Sequence, residues 1–311
     1  MSYHILSIDA YTCQLSCERG QLSCISDSGR QSIPLEDVGA IIVSSFKATL
    51  TSNLIIEAAK RRIGFILCDS HKPAALILPA DRATDTATLR NLATMPAHLK
   101  KRLWDKTLSA KCGNQAELAT AWNPLHPKIE EICAVATSRR PNREADTARL
   151  FWSIFADTFA DANFRRGRKE EGYNSLLNYA YAILLSSILQ KLYALGLDPA
   201  FGIFHQAREH AAPLAYDLME PFRPAFDANV ARWIRRGLEQ DESPDSISEI
   251  TREYRRHIIS TLDAETFCRG KTTTIRASLE AVCRSFRQAV LSHQSGPYEP
   301  WTISTIKWAG S

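Results

Sequence analysis

One change of period, near residue 80, constrains this chain more than any other feature. Before it, short apolar or alternating runs are separated by turn signals: HILSIDA, QLSC, QLSCISD, a turn at Gly29 and Arg30, then IPLEDVGAIIVSS. Runs of this kind predict strands. TSNLIIEAAKRR, with Thr51 or Ser52 as its cap, predicts a helix among them, and GFILCDS and AALILP return to strand character, Pro79 closing the last. From Thr84 onward the apolar residues recur at helical spacing, as in TLRNLATMPAHLKKRLWDKTLSAKCGNQAELATAW. SLLNYAYAILLSSILQKLYALGL is apolar enough for a central buried helix. The expectation is an α+β chain, with residues 1–79 a small N-terminal β-rich domain and residues 80–311 a larger all-helical domain.

Several classes are excluded on sequence grounds. MSYHILSIDAYT lacks a cationic region followed by an apolar core, and no apolar run approaches the roughly 20 residues of a spanning helix. No membrane association and a cytoplasmic location are therefore expected. The eight cysteines form no CxxC pair, so a zinc ribbon is not expected, and they read as reduced, mostly buried thiols. There is no GxxxxGK[ST] or GxGxxG, no GxSxG elbow and no HExxH helix. Net charge is only +4, yet arginine outnumbers lysine 26 to 12, favouring planar bidentate donors of the kind that suit phosphate. The basic excess falls entirely after residue 80, so a polyanion is expected on the C-terminal part.

The densest chemistry lies between Gly202 and Pro224, GIFHQAREHAAPLAYDLMEPFRP. Asp217 and Glu220 are three apart, which in a helix places them on one face, and His205 precedes Asp217 by twelve residues. Two acids in an apolar setting are costly to ionise unless a cation or an arginine neutralises them. A divalent metal satisfies this. So does a bland arrangement in which Asp217 is solvated, Glu220 pairs with Arg223 and His205 is a core histidine. An upstream acid that fits the same site is Glu144, which follows the basic RRPNR loop at the start of an amphipathic helix, where a carboxylate also suits the helix dipole by itself.

NREADTARLFW, SLLNYAYAILL, LDPAFGIFHQ and PLAYDLMEPFRPAFD, in this order, resemble the CRISPR-associated spacer-acquisition integrases, the family called Cas one. GAIIVSS followed by TSNLIIEAAKRRIGFILCD resembles the family's N-terminal domain, so the likeness covers nearly the whole chain. It looks most like members accompanying the effector nuclease Cas nine. The resemblance implies a metal-dependent DNA endonuclease and integrase, with the metal ligands falling on Glu144, His205 and Glu220 and a nearby acid on Asp217. In some relatives the last ligand is aspartate, so Asp217 is left either as a direct ligand or as a support. It further implies a homodimer, through the N-terminal domain, joined to a small partner, Cas two, on double-stranded DNA: the captured fragment and the CRISPR repeat.

Joining a 3′-hydroxyl to a repeat-edge phosphodiester is transesterification and needs no ATP. Mg2+ or Mn2+ is the expected cofactor, the imidazole favouring manganese. The arginine clusters are the expected DNA contacts, with Arg143 and Arg223 nearest the ligands and Arg165, Arg166 and Arg168 in RRGRK as backbone binders. Two alternatives stand beside the integrase: a stand-alone nuclease on branched DNA, and a catalytically silent DNA-binding scaffold.

Overall fold

The computed structural model describes residues 4–61, 63–69, 72–80, 83–159, 164–167, 171–206 and 212–303. The N-terminal part is built from β1 (His4–Ile8), β2 (Thr12–Glu18), β3 (Gln21–Ser26), β4 (Gly29–Pro34), β5 (Val38–Val43), β6 (Lys47–Leu50), α1 (Ser52–Lys60), β7 (Gly64–Asp69) and β8 (Lys72–Ile77). They form two four-stranded sheets, ordered β4-β3-β2-β6 and β1-β5-β7-β8. In the second sheet β5 pairs parallel with both β1 and β7, which explains why VGAIIV is nearly continuously buried rather than alternating. The Thr51 hydroxyl accepts from the Leu54 amide and starts α1, as its position before the apolar run predicts. The turn expected at Gly29 and Arg30 lies two residues earlier, at Asp27 and Ser28. Gly29 instead opens β4 with φ +106°, a conformation that glycine alone adopts freely. Leu15, Leu22, Leu35, Ile41, Leu54 and Phe65 close the core between the sheets and α1.

From Ala83 the chain is helical: α2 (Ala83–Ala93), α3 (Ala97–Trp122), α4 (Ile129–Thr137), α5 (Arg143–Phe159), α6 (Tyr173–Ala194), α7 (Pro213–Met219), α8 (Arg223–Glu239), α9 (Pro244–Ile247), α10 (Arg252–Ser260) and α11 (Ile275–Ser292). A separate core running from Leu92 to Ile303 holds these helices together. The long apolar segment is α6, central as expected, and it meets α7, α8 and α11 on one side and the β5-β7-β8 edge of the N-terminal sheet on another. Among the described residues no helix is long and apolar enough to cross a membrane.

The second part is not wholly helical. β9 (Glu265–Cys268) and β10 (Lys271–Thr274) form an antiparallel hairpin before α11. Its two turn residues, Arg269 and Gly270, both have positive φ, the geometry that lets a two-residue loop follow the twist of its strands. The cysteines are all free, with Cys13, Cys17, Cys112 and Cys283 buried and Cys133 exposed.

α3 organises the site. It crosses α4, α5, α7, α8 and the 3-10 turn Glu220–Phe222 that links α7 to α8. Buried Asn114 on α3 donates to the carbonyls of Pro221 (2.7 Å) and Trp301 (3.2 Å) and accepts from the Ile303 amide (2.8 Å). Phe222 stacks on Trp301, ring centroids 5.0 Å apart. The turn that carries Glu220 is thus fastened to α3 and to the C-terminal segment.

Candidate metal centre

Glu144 lies in the first turn of α5 and Glu220 in the 3-10 turn after α7, so Asp217 and Glu220 are on successive elements rather than one helix. The chain departs from α-helix where Pro221 follows, since proline withholds the amide that a continuing helix would bond. The side chains of Glu144 and Glu220 nevertheless converge. Lys111 on α3 donates to Glu144 Oε1 at 2.6 Å and stands 2.7 Å from Glu220 Oε2. The second contact is an ion pair, and apart from it Glu220 Oε2 is a buried oxygen with no further partner among the described residues. The Glu220 side chain is only 5% exposed, and its other oxygen receives Arg223 at 2.9 Å. Burial pushes the Glu220 carboxyl up, but the charges of Arg223 and Lys111 outweigh it and hold the group below the usual carboxylate range. Burial would likewise lower Lys111, yet Glu220 and Glu144 together raise it, so Lys111 and Glu220 face each other as a charged pair.

His205 belongs to the loop before α7 and is exposed, not a core histidine. Its position is set by Asp217, which is fully buried and not solvated. Asp217 Oδ2 accepts the amides of Ile203 (2.7 Å) and Phe204 (3.1 Å), and Oδ1 accepts the His205 amide (3.1 Å) and His205 Nδ1 (2.6 Å). Both oxygens are therefore engaged. Bonding to a carboxylate assigns the proton to Nδ1 and leaves the lone pair on Nε2, which among the described residues has no hydrogen-bond partner. The Asp217 hydrogen bond raises the imidazole above its ordinary pKa against the effect of burial, and the charges of Asp217, Glu220 and Glu144 add to the rise. The loop can wrap Asp217 this closely because residue 202 is glycine. A Cβ there would stand 2.3 Å from the His205 carbonyl oxygen and 2.7 Å from Pro213 Cβ. Phe204 stacks face to face on Trp104 of α3 at 4.3 Å, and the His205 ring meets both edge-on. Trp104 and Lys111 are seven apart, about 10 Å along one face of α3, so the same helix face serves the histidine loop and the two glutamates.

Behind Glu220 lies a second polar layer. The Arg223 guanidinium covers the Tyr181 ring at 4.5 Å, and the Tyr181 hydroxyl donates to Asp227 Oδ1 at 2.6 Å. Asp227 is fully buried, and burial raises its carboxyl to about 7 although Tyr181, Arg166 and Arg223 pull it down. Arg166 donates to Asn174 Oδ1 and Asn178 Oδ1, both at 2.9 Å, and lies over Tyr181 and Trp152.

The proposed DNA contacts thus separate. Arg166 and Arg223 have internal partners, Arg143 donates to Ser138 O and Ser109 Oγ, and Arg165 is exposed while donating to the neighbouring Phe164 carbonyl. Arg168 lies outside the described residues. Among the tryptophans, Trp301 is buried against Phe222 with its indole N–H on Thr266 Oγ1, and Trp152 packs against Phe151 and Phe155. Sequence reasoning missed Lys111, Tyr181, Asp227 and the clamp role of Gly202. Only the last two carried a signal: an acid between the apolar residues of PAFDANV, and a glycine two residues after a proline-alanine turn.

Among the described residues, no three His, Cys, Asp or Glu side chains already enclose a common point, and Lys111 stands between the two glutamates. The donor set still fits a hard divalent cation. Two carboxylate oxygens approach one positive charge, one of them is buried with no partner besides that charge, and an imidazole with a free nitrogen stands on the same face.

The profile of the family described as "CRISPR associated protein Cas1" matches residues 6–263. A CRISPR-associated endonuclease Cas1 of Neisseria meningitidis serogroup C (strain 8013) is 28% identical over 283 residues, covering 89% of each chain. Another, of Korarchaeum cryptofilum (strain OPF8), is 28% identical over 272 residues, covering 75% of this chain and 78% of that one. Among solved structures, a casposase bound to integration product superposes with TM-score 0.72 at 20% identity, covering 96% of this chain and all of that one. A partial Cas6-RT-Cas1–Cas2 complex gives TM-score 0.73 at 18% identity, covering 97% and 99% of the two chains.

Proposed function

This chain belongs to the CRISPR-associated protein Cas1 family, and on that premise we propose that it is a metal-dependent DNA integrase and endonuclease that joins the 3′-hydroxyl of a captured fragment to a CRISPR repeat. The observation that carries the proposal is the convergence of Glu144 and Glu220 on one cation beside a histidine whose second nitrogen is already fixed. Glu144, Glu220 and His205 Nε2 would hold Mg2+ or Mn2+. Such an ion, when bound, offsets charge on the phosphorus and aligns attacking and leaving oxygens.

The chain's own groups have separable tasks. Asp217 orients His205 through Nδ1 and, by bonding three successive amides, fixes the loop that carries it. Arg223, held by Tyr181, fixes one oxygen of Glu220 and leaves the other directed at the cation. In the reaction the 3′-hydroxyl gives up its proton and forms a new P–O bond as the bond to the repeat's own strand breaks, and the displaced 3′-oxygen takes up a proton, so one phosphodiester and one hydroxyl replace another pair and no nucleotide is spent. The neighbours that are a Cas1–Cas2 complex and a Cas1–DNA complex support DNA and Cas2 as partners; that the DNA is double-stranded and the working unit a homodimer is part of the proposal.

The test is strand transfer of a 3′-hydroxyl duplex into a repeat-bearing plasmid with Cas2 and Mn2+, comparing wild type with Glu220→Gln, which keeps the size of the side chain. Joining by wild type and a loss of roughly 100-fold or more in the variant, at equal folded fraction, is expected. Cutting without joining would make the protein a stand-alone nuclease. DNA binding with neither product would make it a scaffold.

A further inference from the structure

Lys111 has no part in the motifs that define the site, yet it is the side chain both glutamates meet. Its ammonium lies 2.6 Å from Glu144 Oε1 and 2.7 Å from Glu220 Oε2, with 12% of the side chain exposed. Glu144 comes from α5, Glu220 from the turn after α7, and Lys111 from α3, so no local constraint forces the three together. Counting charges, Glu144 and Glu220 supply two negatives, and Lys111 and Arg223 two positives. The cluster is neutral without any further ion. Were a divalent cation to share those carboxylate oxygens with the ammonium, like charges would stand a few ångströms apart in a poorly solvated place, where repulsion is strong. Arg223 cannot yield, since it is packed on Tyr181 and paired to the far oxygen of Glu220. Lysine is the one that can, having a flexible four-carbon stem and a point charge.

We propose that Lys111 is a built-in counter-cation that holds Glu144 and Glu220 at their spacing in the metal-free protein and is displaced when a divalent ion binds. It is a positioning residue that sets metal affinity by competition. This rests on the reading of Glu144 and Glu220 as ligands. The consequence runs against what structural damage would give: removing a merely structural ion pair loosens a site and weakens binding, whereas removing a competitor strengthens it.

The experiment is Mn2+ binding to the full chain, by titration calorimetry and by the electron paramagnetic resonance signal of free Mn2+. Wild type, Lys111→Met, Lys111→Gln and Glu220→Gln are compared, each with its melting temperature in EDTA and in saturating Mn2+. Lys111→Met is expected to bind Mn2+ about tenfold tighter or more than wild type. It should also melt several degrees lower in EDTA and recover more on adding Mn2+. Should Lys111→Met not fold in EDTA, Lys111→Gln, which keeps a donor for one carboxylate, serves instead. Folding of either variant only with Mn2+ supports the proposal, and failure of both even with Mn2+ overturns it. Equal or weaker Mn2+ binding in the lysine variants overturns it too, while the ligand reading survives if Glu220→Gln loses the ion. No Mn2+ binding by wild type and lysine variants alike sinks the ligand reading itself.

Discussion

Asp217→Asn tests how the histidine is held. The carboxylate accepts four hydrogen bonds, two on each oxygen, from a position with no solvent exposure. Asparagine has one carbonyl oxygen, so whichever way the amide turns, its NH2 group faces two donors. In one orientation Ile203 and Phe204 lose their acceptor; in the other His205 loses both of its bonds. An unmet buried donor costs about 1–3 kcal/mol, and because Phe204 and His205 are exposed enough for water to take over, the lower part of the range applies, about 2–4 kcal/mol in all. That is a large share of a total stability of about 5–15 kcal/mol. Urea unfolding in EDTA should show a lowered midpoint at unchanged slope, with faster hydrogen exchange at the Ile203 amide. The imidazole supplies an independent readout, since the Asp217 hydrogen bond is the main cause of its raised pKa. A raised histidine pKa stabilises the fold below the unfolded value, and that contribution disappears as pH rises through the folded one. The variant should therefore lose this acid-side stabilisation, and its His205 resonance should titrate at lower pH. A change under about 0.5 kcal/mol, with Ile203 exchange and the His205 titration unmoved, would refute the clamp.

Asp227→Asn addresses the layer behind Glu220. A carboxyl raised from 3.8 to about 7 favours the protonated fold, so its contribution is present at acid pH and lost as pH climbs from about 4 to 7, on the order of 4 kcal/mol. Stability of the asparagine variant should fall less than wild type over that interval in parallel denaturation series; an identical or steeper fall rules out a buried, protonated Asp227. In RRGRK, Arg165→Gln should weaken DNA binding and reduce the salt slope by about 0.9, one phosphate contact. Arg166→Gln should chiefly lower thermal stability, because it breaks bonds to Asn174 and Asn178. The reverse pattern in paired salt titrations and melts would exchange their roles.

What the sequence made legible follows from the range of the forces involved. The passage from sheet to helix near residue 80 is written in local periodicity, and the Thr51 cap and the start of α5 before Glu144 are written in single residues. The β9–β10 hairpin was hidden because its strands are only four residues long and its turn, Arg269-Gly270, carries one glycine in a threonine-rich stretch. The three arginines and the lysine of RRGRK are equivalent in sequence; Arg165 and Arg166 part company because Asn174 and Asn178 of α6 hold the guanidinium of Arg166, whereas Arg165 is exposed.

Lys111 shows the same limit at the site itself. Lys106 and Lys111 lie on one helix five residues apart, about 140° around its axis. Lys106 caps the carbonyls of Ser295 and Tyr298, at 2.7 and 2.8 Å, while Lys111 meets two glutamates from distant elements. Nothing in DKTLSAK distinguishes them, since each role is assigned by what crosses that face of α3. Ligands recur as recognisable motifs because a metal demands particular donor atoms, whereas a counter-cation needs only charge and reach. A site of this kind therefore shows its ligands in the sequence and its competitor only in the fold.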